Sequence, residues 1–363
     1  MGLPGFVSPI LFTEKESLPM NLFRLCSLVC LTVFFLSPNA AAQDQQFAKL
    51  GDFKLESGEV VRDCRVGYRT FGVLNSDKSN VVVFPTWAGG TTEQLKGNIG
   101  PGKVVNSEKF FVVAVDALGN GVSSSPSNST LQPRMSFPKI TLRDSVNTQH
   151  LLLTNVLKIN HVKAVVGVSM GGMQTFQWLV SYPDFMDLGV PIVGSPRLAA
   201  YDLLLWQAQI DAIMNDASWN NGNYATNPAR APEFEFGALL LTTPDEYNKK
   251  MTRQKVLEEL KKAREAKGGG FDANDKIRQD QAMMALDVSE PFGGSLEQAA
   301  ARVKAKVFVI ASKFDHVVTP GPAIEFAKLI NAKLLVLEGD CGHLAPSCEY
   351  QKVNPAIDEF LRQ

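Results

Sequence analysis

The chain has 363 residues, 45% of them hydrophobic and 20% charged, with 36 Lys and Arg against 37 Asp and Glu. That composition supplies a full hydrophobic core and excludes a disordered chain. A net charge of -1 gives no basic field for nucleic acid or for an anionic membrane surface, so neither is an expected partner.

The first element is a leader over residues 1–42. Met20 to Arg24 form an n-region with one positive charge, and residues 25–36 are a largely apolar run of twelve. Ala40, Ala41 and Ala42 then provide an A-x-A cleavage site. The run is shorter than the roughly 20 residues that span a bilayer, so a cleaved signal peptide is expected and no stable membrane anchor. Glu14, Lys15 and Glu16 suit no n-region, which makes Met20 the preferred start. The expected location is periplasmic or extracellular. Removal of the leader takes Cys26 and Cys30 with it and leaves Cys64, Cys341 and Cys348. Cys341 and Cys348 are close enough in sequence to form a bridge in an oxidising compartment, although spacing leaves side-chain geometry open. No C-x-x-C pair or His/Cys cluster marks a metal site, and no cofactor is expected.

Residues 59–71 alternate loosely and read as an antiparallel strand. Short Val-rich runs at 80–85, 110–116, 164–168 and 188–193 are bounded by Gly, Pro or Asp and read as buried strands. Between them, 142–157 and 170–182 read as helices, the second stopped by Pro183. Strands alternating with helices predict an α/β fold with a mostly parallel sheet covered on both faces. The pattern breaks at about Pro196 and resumes at Lys304. Within the break lie a Trp- and Leu-rich stretch at 202–214, an Asn/Pro-rich loop, and a charged helix over 245–267. Gly268, Gly269 and Gly270 end that helix, whose charges read as a solvated face. Strands at 306–311 and 333–337 then flank a helix at 323–330. The expected organisation is a core over 43–195 and 301–363 with a helical cap insertion over 196–300.

Gly167, Val168, Ser169, Met170 and Gly171 form a G-x-S-x-G pattern that follows an apolar strand and opens into a helix. Such a strand–turn–helix pushes the serine hydroxyl out over the sheet edge, where it serves as a nucleophile. A serine hydroxyl needs a base to take its proton, and the base needs an acid to orient it. Of four His, His150 and His161 fall before the serine and read as structural. His343 follows the last strand and is the expected base, while His316 is a neighbour of the acid or a surface residue. Asp315, just beyond the strand at 306–311, is the expected acid. Asp340 is a competitor whose short loop strains to reach, and Asp287 lies in the insertion. The oxyanion needs two backbone donors, expected from Met170 and from Trp87 in the loop after 80–85, with Trp87 also a pocket wall. A plain turn with a core Trp is the alternative there.

Several stretches together resemble the homoserine O-acetyltransferase branch of the α/β-hydrolases. They include Gly67-Tyr68-Arg69-Thr70-Phe71-Gly72, Gly100-Pro101-Gly102-Lys103, Thr141-Leu142-Arg143-Asp144 and Ser169-Met170-Gly171-Gly172-Met173-Gln174. The resemblance covers nearly the whole chain beyond the leader and is weakest in the insertion. It implies an α/β-hydrolase fold, Ser169, Asp315 and His343 as triad, Trp87 and Met170 as oxyanion donors, and an acyl-serine intermediate. The acetyltransferases hold the homoserine carboxylate with an Arg and the amine with an Asp after the catalytic His. Ile210 and Leu344 stand at those places, so homoserine is not the expected acceptor. The expected function is a secreted serine hydrolase acting on a small-molecule carboxylic ester. An acyltransferase that moves an acyl group to an alcohol is the alternative, and a non-catalytic binding protein on the same fold is a remote one.

Overall fold

The computed structural model describes residues 44–228, 231–266 and 268–363. The expected leader over 1–42 lies outside the described residues. Eight strands form one sheet: β1 (Gln46–Lys54), β2 (Val60–Phe71), β3 (Val81–Pro85), β4 (Phe111–Val115), β5 (Val162–Val168), β6 (Met186–Ile192), β7 (Lys306–Ser312) and β8 (Lys333–Leu337). Their spatial order is β1-β2-β4-β3-β5-β6-β7-β8. β1 and β2 pair antiparallel, β2 pairs antiparallel with β4, and every later pairing is parallel.

The parallel strands read as continuous apolar runs because both their faces are buried. In β3, Val81 and Val83 enter one core with Val146, Phe176 and Trp178. Val82 and Phe84 enter the opposite core with Val353, Ile357 and Phe360. The helices that cover these faces lie on the two sides of the sheet. They are α1 (Thr92–Leu95), α2 (Leu142–Leu151) and α3 (Met170–Ser181) before the insertion. Those after it are α10 (Gly321–Leu329), α11 (Ala345–Cys348) and α12 (Tyr350–Leu361). α2 starts where Thr141 and Asp144 cap each other reciprocally, and it runs on into a π-helical turn over Leu152–Val156.

Between β6 and β7 lie α4 (Ala200–Met214), α5 (Ala231–Leu240), α6 (Pro244–Lys250), α7 (Arg253–Glu265), α8 (Ala273–Met284) and α9 (Leu296–Ala300). The single helix expected over 245–267 is in fact two. Met251 is extended, and the Thr252 side chain accepts the N–H of Lys255 to start a new helix. α7 is solvated as expected, with no buried residue. α8 was not expected. Its Asp275, Arg278 and Gln279 are buried but polar, and they interrupt the apolar positions Ala273, Ile277, Ala282 and Met283 that would otherwise reveal a helix in sequence. Those three residues dock the insertion onto the core. Asp275 accepts the N–H and O–H of Ser127, Arg278 donates to the carbonyls of Met135 and Phe137, and Gln279 donates to the carbonyl of Leu118.

Cys341 and Cys348 are joined as a disulfide, and Cys64 is a buried free thiol. Among the described residues no helix is long and apolar enough to cross a membrane.

Candidate active site

β5 ends at Val168 and α3 begins at Met170, so Ser169 alone makes the turn, with φ 57° and ψ −122°. A non-glycine residue reaches that left-handed region only when its surroundings hold it there. Two close approaches do so. A Cβ on Gly167 would lie 2.0 Å from the Gly171 carbonyl oxygen, and one on Gly171 would lie 2.6 Å from that of Pro85. Both glycines of the motif are therefore required by backbone packing.

The structure brings together the three residues expected from sequence. His343 Nε2 lies 2.8 Å from Ser169 Oγ, and His343 Nδ1 lies 2.7 Å from Asp315 Oδ2. Asp315 is 3% exposed and His343 8% exposed, so water competes little for these bonds. The other Asp315 oxygen accepts the N–H groups of Val317 and Val318, which fixes the carboxylate in the turn after β7. Ser312 at the end of β7 donates to the Gly342 carbonyl and ties the His343 loop to the same sheet edge. The insertion holds that loop from above, through Leu344 N–H to the Leu241 carbonyl and Thr243 Oγ1 to the Asp340 carbonyl.

The competitors are accounted for elsewhere. The Asp340 carboxylate pairs with Lys249, and Asp287 accepts from Ser289. His150 stacks on Tyr182 with ring centroids 4.0 Å apart, and burial holds its pKa below the ordinary value. His161 bonds Asp187 at 2.9 Å, and half-buried His316 is absent from the cavity wall.

Of the two expected oxyanion donors, Met170 is the fully buried first residue of α3, where helical N–H groups lack intrahelical partners. Trp87 follows β3 and its side chain lines the cavity beside Ser169. Two glutamines that sequence reasoning passed over hold this loop. Gln174 donates to the carbonyls of Thr86 and Met170, and its own oxygen accepts from Gln149, which in turn accepts from Trp178 Nε1. Gln279 accepts the Gly89 N–H at 2.7 Å. For Gln174 the available signal was a polar side chain on the buried helix α3, since such a group must find partners.

Ser169 and His343 open onto a cavity of about 890 Å³. Its floor is the sheet edge, and its ceiling comes from Trp206 and Gln209 of α4, Phe236 and Leu240 of α5, Phe271, and Lys276 and Asp280 of α8. Leu344 lines it, as expected for a position beside the histidine. Ile210 does not; it packs with Trp219, Ala273 and Ile277 inside the insertion. Lys276 Nζ lies 3.0 Å from the fully buried Asp280 carboxylate, whose pKa burial pushes up against the pull of that ammonium. Among the described residues no His, Cys, Asp and Glu cluster suits a metal ion.

The alpha/beta hydrolase fold family matches residues 80–347. An ethyl acetate hydrolase from Pseudomonas veronii is 31% identical, over 82% of this chain and 89% of its own length. A homoserine O-acetyltransferase from Methanosalsum zhilinae is 29% identical, over 85% of this chain and 71% of its own. Among solved structures, an acetylester hydrolase from Corynebacterium glutamicum superposes with a TM-score of 0.81 at 27% identity, covering 88% of this chain and 96% of that one. The chain belongs to the alpha/beta hydrolase fold family, in the branch shared by esterases and homoserine O-acetyltransferases, and is an enzyme of that family, a hydrolase or an acyltransferase.

Proposed function

We propose that this enzyme is an exported serine esterase that hydrolyses small carboxylic esters through an acyl-Ser169 intermediate. The observation that carries the reading is the continuous hydrogen-bonded line Asp315–His343–Ser169 opening into the cavity. Ser169 Oγ attacks the ester carbonyl carbon while His343 Nε2 takes its proton. Asp315 holds the imidazole in orientation and stabilises the imidazolium that forms. The carbonyl π pair moves onto oxygen, where the N–H groups of Met170 and Trp87 receive the charge. As the tetrahedral intermediate collapses, the ester C–O bond breaks and the alcohol leaves with the proton from His343. Water repeats the sequence on the acyl-serine and releases the acid.

Hydrolysis is favoured over transfer to homoserine by Leu344, which offers the cavity an apolar side chain where the acetyltransferases have an Asp. A zwitterion would face leucine with its ammonium unpaired. Export is supported by the leader at 1–42 and by the Cys341–Cys348 bridge, a bond that persists in oxidising compartments. Turnover of p-nitrophenyl acetate, with and without an added short alcohol, tests the reading. Free acetate as the main product, lost in Ser169→Ala, is the expected result. Acetyl transfer to the alcohol as the main product would make the enzyme an acyltransferase, and equal turnover by Ser169→Ala would overturn the mechanism.

A further inference from the structure

Asp202, in the first turn of α4, is a buried carboxylate that the mechanism above does not use. The charge that acts on it is the like charge of Asp315, and burial with that neighbour pushes its pKa up. A carboxylate buried without a cation is costly, so its hydrogen bonds must hold it in place. Asp202 Oδ2 accepts the Ala199 N–H at 3.2 Å and the Thr319 hydroxyl at 3.1 Å, and Oδ1 accepts the Thr319 N–H at 3.1 Å. Capping α4 uses only the bond to Ala199, and the two to Thr319 are surplus to it.

Thr319 belongs to the turn between β7 and α10 that carries Asp315. Three successive N–H groups of this turn are divided between two carboxylates. Those of Val317 and Val318 go to Asp315 Oδ1, and that of Thr319 goes to Asp202. The first two bonds fix the Asp315 carboxylate to its own turn but do not fix the turn to the molecule. On the β7 side the Lys313 N–H, bonded to the Leu337 carbonyl, does so. On the α10 side that place is taken by Asp202.

We infer that Asp202 is a positioning residue for Asp315: it pins the far end of the acid's turn to the insertion and so keeps the Asp315 carboxylate in register with His343 Nδ1. This rests on the triad reading above. Asp315 Oδ2 lies 2.7 Å from that nitrogen, and a misplacement of about 1 Å can cost on the order of 100-fold in rate. Asp202 is absent from the cavity wall, so its effect falls on kcat rather than on the binding of a short ester.

The full chain is tested by steady-state hydrolysis of p-nitrophenyl acetate, by kcat/KM against pH, and by melting curves. Asp202→Asn and Asp202→Leu remove the same charge, but only the amide still accepts the Thr319 N–H and donates to the Thr319 hydroxyl oxygen. Asp202→Leu is expected to lower kcat about 10- to 100-fold with KM within about threefold. It is also expected to move the acid limb of kcat/KM to lower pH, because a slackened Asp315 bond stabilises the His343 imidazolium less. Asp202→Asn is expected to keep kcat within about threefold and to move the limb less. A lowered melting temperature with kcat and the limb unchanged would make Asp202 purely structural. A kcat loss with the limb unmoved would overturn action through Asp315, and equal effects of the two variants would overturn the hydrogen-bonded link. Where Asp202→Leu does not fold, Thr319→Val decides. It removes one of the two bonds to Asp202 and is expected to lower kcat several-fold, and an unchanged kcat would overturn the role. Undiminished turnover by Asp315→Asn would overturn the triad, and the role of Asp202 with it.

Discussion

Ser169, His343 and Asp315 come from three separate turns at the same edge of the sheet, and each is held by backbone bonds that do not involve the other two. That is why all three are legible in sequence: each stands past the end of a short apolar strand, where a parallel sheet presents its loops. Gln174 is not legible in this way, since nothing about a glutamine five residues past the serine announces the Thr86 carbonyl as its partner. It links α3 to the oxyanion loop, and its loss should act on the transition state more than on substrate binding. Gln174→Leu is expected to lower kcat about 10- to 100-fold, less than or equal to the loss of one oxyanion donor. KM for a short ester should stay within about threefold, and steady-state kinetics beside a melting curve checks both. An unchanged kcat with a lowered melting temperature would make Gln174 a purely structural residue.

Among the elements, the strands buried on both faces were visible from their apolar runs, and β1 and α8 are among those that were not. β1 is an edge strand of which only Ala48 and Phe53 are buried, so its sequence shows no clear alternation. α8 spends its inward positions on hydrogen bonds to the core, as Asp275, Arg278 and Gln279 show. The docking of α8 carries a pH dependence. Burial pushes the Asp275 carboxyl from its ordinary 3.8 up to about 7, despite the bonds from Ser127. A group whose pKa is raised on folding stabilises the fold fully below its unfolded value and loses that contribution as pH rises through the folded value. Wild type should therefore lose stability between about pH 4 and pH 7 relative to Asp275→Asn, whose amide accepts the Ser127 N–H and donates to its hydroxyl. Melting curves are expected to coincide more closely at pH 5 and to favour the variant at pH 8.5. A gap independent of pH would contradict the role of Asp275 ionisation.

In the whole molecule, the sheet supplies a rigid edge and the insertion supplies the roof of the cavity. The division between them is visible in sequence as a loss of strand pattern after Pro196. Which residues line the roof is not, because Trp206 and Asp280 lie far apart in sequence and come to the same cavity only once α4 and α8 have folded over it. The Cys341–Cys348 bridge closes a short loop around His343. Closing so short a loop contributes roughly 2–3 kcal/mol by restricting the unfolded chain. Cys341→Ser/Cys348→Ser is expected to melt at lower temperature and to lose kcat, and an unchanged enzyme would show that the loop is held by Ser312 and Leu241 alone.

The central claim is that ester cleavage passes through a covalent acyl group on Ser169. Intact-mass spectrometry during p-nitrophenyl acetate turnover tests it most directly, followed by peptide mapping of any adduct. A single transient acetyl group on the peptide containing Ser169, absent from Ser169→Ala, is the predicted result. Full turnover with no adduct at any time, or an adduct on another residue, would contradict it.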